Sequence, residues 1–220
     1  MASKKALLLI ASPKTNNGAS NNLGSYFLNI LLENGFDIDS VNVNVAIRNN
    51  CIHDLVQKVN SSDILIISTP LYVDSIPAPL ITFLENYKDN NVLKNKKLIA
   101  IVNSGFPESS QNIYAVEILN HFAKNNGFTW LGGYTIGGGG LFSRGDLNKN
   151  KSAINIIRSF HEAALMVKQD RPIPQSVFEL ASKLLMPVRM YTFFGQLGWI
   201  IASLKHRSTH KLWAKPYNQI

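Results

Sequence analysis

Residues 6–23 read Ala6-Leu7-Leu8-Leu9-Ile10-Ala11-Ser12-Pro13-Lys14-Thr15-Asn16-Asn17-Gly18-Ala19-Ser20-Asn21-Asn22-Leu23. An apolar run is followed by a loop of small hydroxyl and amide residues, and a helical pattern starts near Ser20. A helix start offers unpaired N–H groups and the positive end of the helix dipole, so this arrangement favours a bound phosphate. The loop has neither Gly-x-x-x-x-Gly-Lys-Ser/Thr nor Gly-x-Gly-x-x-Gly, which disfavours a P-loop and a dinucleotide-binding turn. The interpretation that remains is a mononucleotide phosphate held by hydroxyls, backbone amides and Lys14.

The rest of the first 170 residues alternates between strand-like and helix-like patterns. Helical spacing runs from Ser20, the expected N-cap, to a stop at Gly35, and recurs over about 50–60, 78–89, 112–126 and 149–169. Between these patterns lie apolar or alternating runs at residues 6–11, 37–45, 63–69, 97–103 and 128–136. The alternation predicts an α/β fold, a doubly wound five-stranded parallel sheet covered on both faces. Ligands of such sheets bind beyond the carboxyl ends of the strands, where the strand order reverses.

Three later loops follow strands and are expected at that same edge. Thr69–Leu80 is stiffened by prolines and offers the flat ring of Tyr72, and Asn103–Glu108 is rich in hydrogen-bonding groups around a glycine. Gly137–Gly140 presents only backbone, and either a ligand contact or a flexible turn would account for it. A phosphate cradle, an aromatic loop and backbone-rich loops together suit a planar ring attached to a phosphate.

Three motifs carry a resemblance to a known family: Ser12-Pro13-Lys14 with Ser20-Asn21-Asn22-Leu23, Thr69-Pro70-Leu71-Tyr72, and Asn103-Ser104-Gly105-Phe106-Pro107-Glu108. Over about residues 5–165 the chain resembles the flavodoxin-like NAD(P)H-dependent FMN reductases. The resemblance implies a flavodoxin-like fold, bound FMN and a nicotinamide electron donor. It assigns the FMN phosphate to Ser12, Lys14, Asn17, Ser20, Asn21 and Asn22. It assigns the isoalloxazine ring to Pro70, Leu71, Tyr72, Val73, Asn103, Ser104, Gly105 and Phe106.

The chemistry implied by the resemblance is hydride transfer from nicotinamide to the flavin N5 position. Because the cofactor performs this reaction, the expected site residues are binders, and no catalytic side chain is predicted. The chain departs from the family at Ala11, where glycine is common. Its one cysteine, Cys51, cannot supply the iron–sulfur cluster that some relatives carry, and it also excludes an intramolecular disulfide.

The last 50 residues differ from the rest in charge and composition. Residues 171–220 contain seven Lys or Arg and one acid, whereas residues 1–170 contain 15 and 13. With the rigid break at Arg171-Pro172-Ile173-Pro174, this predicts a flavodoxin-like FMN-binding domain at 1–170 and a helical, basic, aromatic extension at 171–220. The apolar stretch Val188–Leu204 falls short of the roughly 20 residues that a spanning helix needs.

Three interpretations of the extension stay open. It packs on the body or on a second subunit of a homodimer, it contacts an anionic membrane peripherally, or it binds nucleic acid. Nucleic acid is not expected, because no known binding module surrounds the charges. His206 and His210 have helical spacing but lie among cations, so no metal site is predicted. The first residues lack the features of a signal peptide, which indicates a cytoplasmic protein.

The functional prediction is an FMN-dependent NAD(P)H oxidoreductase that reduces a quinone, nitro compound, free flavin or similar acceptor. The alternative is a flavodoxin-type electron carrier that does not itself oxidise NAD(P)H. Such carriers tend to be shorter and acidic, and the near-neutral body with a basic extension fits them poorly. A flavin-free regulatory or scaffold protein on the same fold is a third, more distant hypothesis.

Overall fold

The structure is a computed structural model that describes residues 3–14, 18–87 and 96–214. Its strands are β1 (Lys5–Ile10), β2 (Asp37–Asn42), β3 (Ile64–Pro70), β4 (Lys97–Asn103) and β5 (Thr129–Ile136). Its α-helices are α1 (Ala19–Glu33), α2 (Val43–Arg48), α3 (Ile52–Asn60), α4 (Ala78–Asn86), α5 (Ile113–Asn125), α6 (Ile154–Lys168), α7 (Gln175–Ala181) and α8 (Val188–Lys205).

The five strands form one sheet in the order β2-β1-β3-β4-β5, and every pairing is parallel. The order reverses between β1 and β3, so the carboxyl ends of these two strands mark the switch point of the sheet. The flavodoxin-like doubly wound fold is therefore confirmed, with helices after β5.

Two apolar layers cover the sheet because successive side chains of each strand point to opposite faces. On β1, Leu8 faces the layer built by α1, α6 and α7, whereas Leu7 and Leu9 face the layer built by α2, α3, α4 and α5. Both layers are closely packed. Phe27 in the first layer and Phe83 in the second have no exposed surface. The packing fixes the strand ends from which the site loops extend.

The second strand is shorter than its sequence pattern predicts. Alternation over 37–45 predicts a strand, but the structure ends β2 at Asn42 and begins α2 at Val43. The Asn42 side chain accepts a hydrogen bond from the Val45 N–H at 3.2 Å, which makes it the N-cap of α2. A capping asparagine thus ends the strand inside an alternating run.

The last strand is irregular at the outer edge of the sheet. Its register against β4 shifts between Leu98 and Ile99, which pair with Trp130 and Gly132. Gly132 has a φ of +130°, and a Cβ there would lie 2.3 Å from the Phe178 ring of α7. The bulge therefore makes room for α7 against the sheet.

Near the amino-terminal ends of the strands, one carboxylate forms ion pairs with two lysines. The Asp170 carboxylate accepts hydrogen bonds from Lys4 at 2.5 Å and from Lys97 at 2.6 Å. These two bonds lower the pKa of Asp170 to about 2.

The chain divides into two compact units, residues 1–185 and 186–220. Val177 and Phe178 of α7 belong to the apolar layer of the first unit. The second unit holds α8, whose large apolar side chains are mostly exposed. Within the described ranges, no helix has both the length and the hydropathy that crossing a bilayer requires.

Candidate functional site

A cavity of about 190 Å³ opens where β1, β3 and β4 end. Nine of the residues that sequence analysis assigns to the FMN site line it: Ser12, Lys14, Ser20, Pro70, Leu71, Tyr72, Asn103, Ser104 and Gly105. Its other lining residues are Gly18, Ala19, Gly139, Gly140 and Ser143. The sheet thus brings the three predicted motifs and the glycine run to one place.

The first wall of the cavity is the start of α1. Gly18, not Ser20, is the N-cap, with extended backbone at φ −138° and ψ 152°. A Cβ at Gly18 would lie 3.2 Å from Ser12 Oγ, so the two loop arms approach closely. Ser12 is buried, and its Oγ accepts a hydrogen bond from the Lys14 N–H at 3.3 Å. The Ser12 hydroxyl proton therefore stays available to a ligand oxygen.

Ser20 links the phosphate-type loop to the end of β4. Its Oγ donates to the Asn103 Oδ1 at 2.7 Å, and both side chains are buried. The Ser20 carbonyl also accepts a 2.7 Å hydrogen bond from Ser68 Oγ on β3. Ser20 therefore fixes the position of α1 against two strands, a role that its predicted N-cap position did not indicate.

The loops after β4 and β5 are joined by backbone hydrogen bonds. The Gly139 N–H donates to the Ser104 carbonyl and the Gly138 N–H donates to the Phe106 carbonyl, both at 2.7 Å. A Cβ at Gly137 would lie 2.2 Å from the Pro107 carbonyl oxygen, and one at Gly139 would lie 2.8 Å from Asn103 Nδ2. Close packing therefore requires residues without a Cβ at Gly137 and Gly139.

One buried polar atom on the cavity wall lacks a partner. Ser104 Oγ is inaccessible to solvent and has no hydrogen-bond partner in the part of the chain that the structure describes. Burying an unpaired hydroxyl costs about 1–3 kcal/mol, and a side-chain rotation that brings Ser104 Oγ to the cavity surface would let a bound molecule supply the missing partner.

Tyr72 stands at the rim on a tight turn. Its N–H donates to the Ser75 carbonyl at 2.8 Å and its carbonyl accepts from the Ser75 N–H at 3.0 Å. The two residues between them, Val73 and Asp74, have φ of +48° and +57°. The left-handed region is unfavourable for a β-branched residue such as Val73. The turn that positions Tyr72 therefore costs conformational free energy.

Four predicted site residues that the structure describes do not line the cavity: Asn21, Asn22, Val73 and Phe106. Asn22 Nδ2 donates to the carbonyls of Phe142 and Gly145, and Asn21 Oδ1 accepts from Ser25 Oγ. Val73 is 98% exposed at its turn and Phe106 is half-exposed, while Asn17 lies outside the described residues. Their contact with FMN stays a prediction.

Gly18 and Ser143 also line the cavity, although neither was predicted as a site residue. Gly18 stands within the quoted loop, so its place at the helix start could have been found from the loop itself. Ser143 follows the glycine run by three residues, and no sequence pattern marks it.

The charge and donor set of the cavity fit an anion joined to a flat ring. Among the described residues that line the cavity, Lys14 is the one cation and none is acidic. The N–H groups of the first turn of α1 have no partners within the helix and lie beside Lys14 and Ser12. Leu71, Tyr72 and Ser104 also line the cavity, and apolar, aromatic and hydroxyl side chains together suit a ring with polar edges.

Comparison with known structures agrees with this geometry. NADH:FMN oxidoreductase (EMOB), in its apo form, is 17% identical, with 84% of this chain and 97% of that chain covered and a TM-score of 0.59. An FMN-dependent NADH-azoreductase from Bacillus anthracis in complex with FMN is 16% identical, covering 75% and 99% with a TM-score of 0.57. NAD(P)H:quinone oxidoreductase from Methanothermobacter marburgensis is 14% identical, covering 76% and 96% with a TM-score of 0.57. These likenesses establish the fold.

No curated protein matches the chain. The family profile of NADPH-dependent FMN reductases matches residues 5–139, well over half of the chain, and spans all three motifs that carry the resemblance. The resemblance seen in the sequence is therefore confirmed, and with it FMN as cofactor and NAD(P)H as electron donor. The chain belongs to the family of NADPH-dependent FMN reductases.

Proposed function

We propose that the protein oxidises NAD(P)H and passes both electrons to a small organic acceptor such as a quinone, a nitro compound or a free flavin. The observation that carries the proposal is the cavity that joins a helix start to an unpaired buried hydroxyl and a half-exposed tyrosine. Bound FMN supplies the redox chemistry, with its N5 position as the hydride acceptor. The chain itself binds and orients the reactants.

The phosphate end of FMN is assigned to the start of α1. The N–H groups of the first turn and the Lys14 ammonium supply positive charge, and the Ser12 hydroxyl supplies a further donor. Ser20 already donates its proton to Asn103, so its side chain positions the loop and its backbone N–H is left for the phosphate. This division of work among the three residues extends the sequence prediction, which treated all of them as direct ligands.

The ring end is assigned to the loops after β3 and β4. After a side-chain rotation, Ser104 donates its unpaired hydroxyl to a polar edge of the ring, and Pro70 and Leu71 provide apolar contact. Tyr72 is 46% exposed at the rim, where its ring can cover a flat ligand and still leave the mouth open to a second reactant. The Gly105 backbone has open space beside it, which permits close approach.

Exposed apolar residues near the cavity and the basic C-terminal segment suggest which partners the protein contacts and where it is located. Phe106 and Leu141, like Tyr72, are large apolar residues left exposed near the cavity, and we propose that a second copy of the chain or the acceptor covers them. We also propose a cytoplasmic location, with peripheral contact between the basic C-terminal segment and an anionic membrane.

Anaerobic reduction tests the redox proposal directly. The purified protein, saturated with FMN, is mixed with NADH or NADPH in the absence of oxygen, and the visible absorbance of the flavin is followed. We expect bleaching by at least one nucleotide and recovery when a quinone or nitro compound is added. A flavin that stays oxidised with both nucleotides would instead support the electron carrier, and failure to bind FMN would contradict both.

Ser104→Ala tests the assignment of the ring end. The variant removes an unpaired buried hydroxyl, so the free energy of unfolding of the apoprotein should stay the same or rise. Its affinity for FMN should fall about fivefold, because the lost hydrogen bond to the ligand is worth about 1 kcal/mol.

The matched control is Ser62→Ala, another buried serine, whose Oγ donates to the Val59 carbonyl at 2.9 Å ahead of β3. This variant should lose stability and keep its FMN affinity. Equal FMN affinity in Ser104→Ala and the unaltered protein would refute the role of Ser104.

A further inference from the structure

Seven large apolar residues of helix α8 lie on one side of it, whereas Val188, Tyr191 and Trp199 lie outside that side. Met190, Phe193, Leu197 and Leu204, with Phe194, Ile200 and Ile201 beside them, recur at spacings of three and four. At 3.6 residues per turn these seven positions fall within an arc of about 120°. We call this set the apolar stripe. Most of the remaining arc holds small or polar residues, among them Thr192, Gly195, Gln196, Gly198 and Ala202.

The apolar stripe is open to solvent. Each of its seven side chains is between 40% and 61% exposed. Contiguous exposed apolar surface of this kind is uncommon on monomeric soluble proteins and marks a surface that binds a partner or a membrane. The helix is 18 residues long, and the stripe runs from Met190 to Leu204 through about four of its turns.

Basic residues border the stripe. On the same helical projection Arg189 falls just beyond Ile200 at one border, and Lys205 falls just beyond Phe194 at the other. Arg207 and Lys211 follow α8, and residues 180–220 contain no Asp or Glu. Long basic side chains at the borders of an apolar face can extend their charges toward anionic headgroups while the face is buried.

These charges discriminate among the surfaces that could cover the stripe. Pairing with the stripe of a second copy would bring two basic, acid-free segments together, which like-charge repulsion opposes. A nucleic acid would neutralise the charges but leave the seven apolar side chains in water. A bilayer surface with anionic lipids satisfies both requirements.

We infer that α8 lies in the plane of an anionic membrane surface, with the apolar stripe inserted below the headgroups and its border cations among the lipid phosphates. This rests on the proposed peripheral contact and identifies the face that makes it. It is independent of the redox proposal, because none of the residues involved lines the FMN cavity.

Vesicle sedimentation with the full FMN-loaded protein tests the inference. Vesicles contain phosphatidylcholine alone or with about 30% phosphatidylserine. We expect binding to the anionic vesicles at low salt, at least about tenfold weaker binding to the neutral ones, and loss of much of the difference at about 0.5 M salt. No sedimentation with anionic vesicles would refute both the inference and the peripheral contact.

Paired variants test which face inserts. Phe193→Gln with Ile201→Gln removes one aromatic and one aliphatic residue from the stripe, and Val188→Gln with Trp199→Gln removes the same classes from the opposite side. The stripe pair should lower vesicle affinity at least about tenfold, whereas the opposite pair should change it less than about threefold. Equal losses would refute the stripe while leaving the peripheral contact standing.

Two further measurements keep the outcomes separate. Both paired variants should retain FMN absorbance and NAD(P)H oxidation in solution, which shows that the first unit is folded and that the redox site is unaffected. Light scattering without vesicles reports on self-association. If the stripe pair lowers the oligomeric state but not vesicle binding, a second copy covers the stripe and the inference is wrong.

Discussion

Gly137→Ala probes the joint between the loops that follow β4 and β5. The Cβ of alanine would lie 2.2 Å from the Pro107 carbonyl oxygen and 2.8 Å from its carbon. Carbon–oxygen contacts are normally no closer than about 3.3 Å, so one loop has to move by about 1 Å. Both neighbours are backbone atoms, and no side-chain rotation can relieve the clash.

The magnitude follows from what that movement breaks. The 2.7 Å hydrogen bonds from Gly138 to Phe106 and from Gly139 to Ser104 would lengthen beyond hydrogen-bonding distance. Their loss costs about 1–3 kcal/mol in total, and residual overpacking raises the cost to about 2–4 kcal/mol. Because Ser104 moves with its carbonyl, FMN affinity should fall as well.

The assay is urea denaturation of the apoprotein together with FMN titration. Gly140→Ala is the control for stability, since it lies in the same run, has open space around the added methyl group and needs no positive φ. We expect it to stay within about 0.5 kcal/mol of the unaltered protein. If Gly137→Ala unfolds at the same urea concentration as Gly140→Ala, the close packing of the two loops is not as described and the reasoning fails.

Three other substitutions test separate contacts. Asn103→Ala leaves the buried Ser20 hydroxyl unpaired and should cost about 1–3 kcal/mol of unfolding free energy, measured by urea denaturation, with weaker FMN binding in the same samples. Gly24→Ala places a Cβ 2.9 Å from two side chains of the sheet; thermal unfolding should show a net loss of about 1–2 kcal/mol, because overpacking exceeds the roughly 1 kcal/mol that alanine gains in a helix. Asp170 has its pKa lowered to about 2 in the folded state, so its contribution is complete above an unfolded pKa of about 4 and is lost as the pH falls to about 2. Asp170→Asn should therefore reduce the urea midpoint slightly at neutral pH, where a half-exposed ion pair contributes little, and by still less near pH 2, where about half of the folded-state carboxylate is protonated; a pH-independent difference would contradict this linkage.

The sheet could be predicted closely because its signals are local and strong. Continuous apolar runs such as Ile64–Ile67 occur where a strand is buried on both faces, and each is followed by a loop of contrasting composition. The end of β2 could not be predicted from alternation, since Val41-Asn42-Val43-Asn44-Val45 suits a strand equally well. One hydrogen bond, donated by the Val45 N–H to the Asn42 side chain, favours a helix there.

The candidate site was predictable as a set of loops but not as a set of contacts. Ser20 carries the signature of an N-cap, yet its hydroxyl reaches Asn103, 83 residues away along the chain. Asn22 resembles a phosphate ligand, yet its amide donates to the carbonyls of Phe142 and Gly145. Both partners are set by tertiary packing, which brings together residues that no local pattern links.

The irregular β5 also limits how the sheet can grow. An outermost strand with free N–H and C=O groups can pair with another chain and start aggregation. The bulge at Gly132 breaks the regular spacing of those groups, and Phe178 packs directly over the glycine. At the other edge β2 places Asp37 and Asp39 among its six residues, and charge there opposes pairing with a further strand. The bulge in β5 and the aspartates of β2 thus both oppose the addition of a sixth strand. Replacing Asp39 by an apolar residue would leave β2 as the edge most prone to intermolecular pairing.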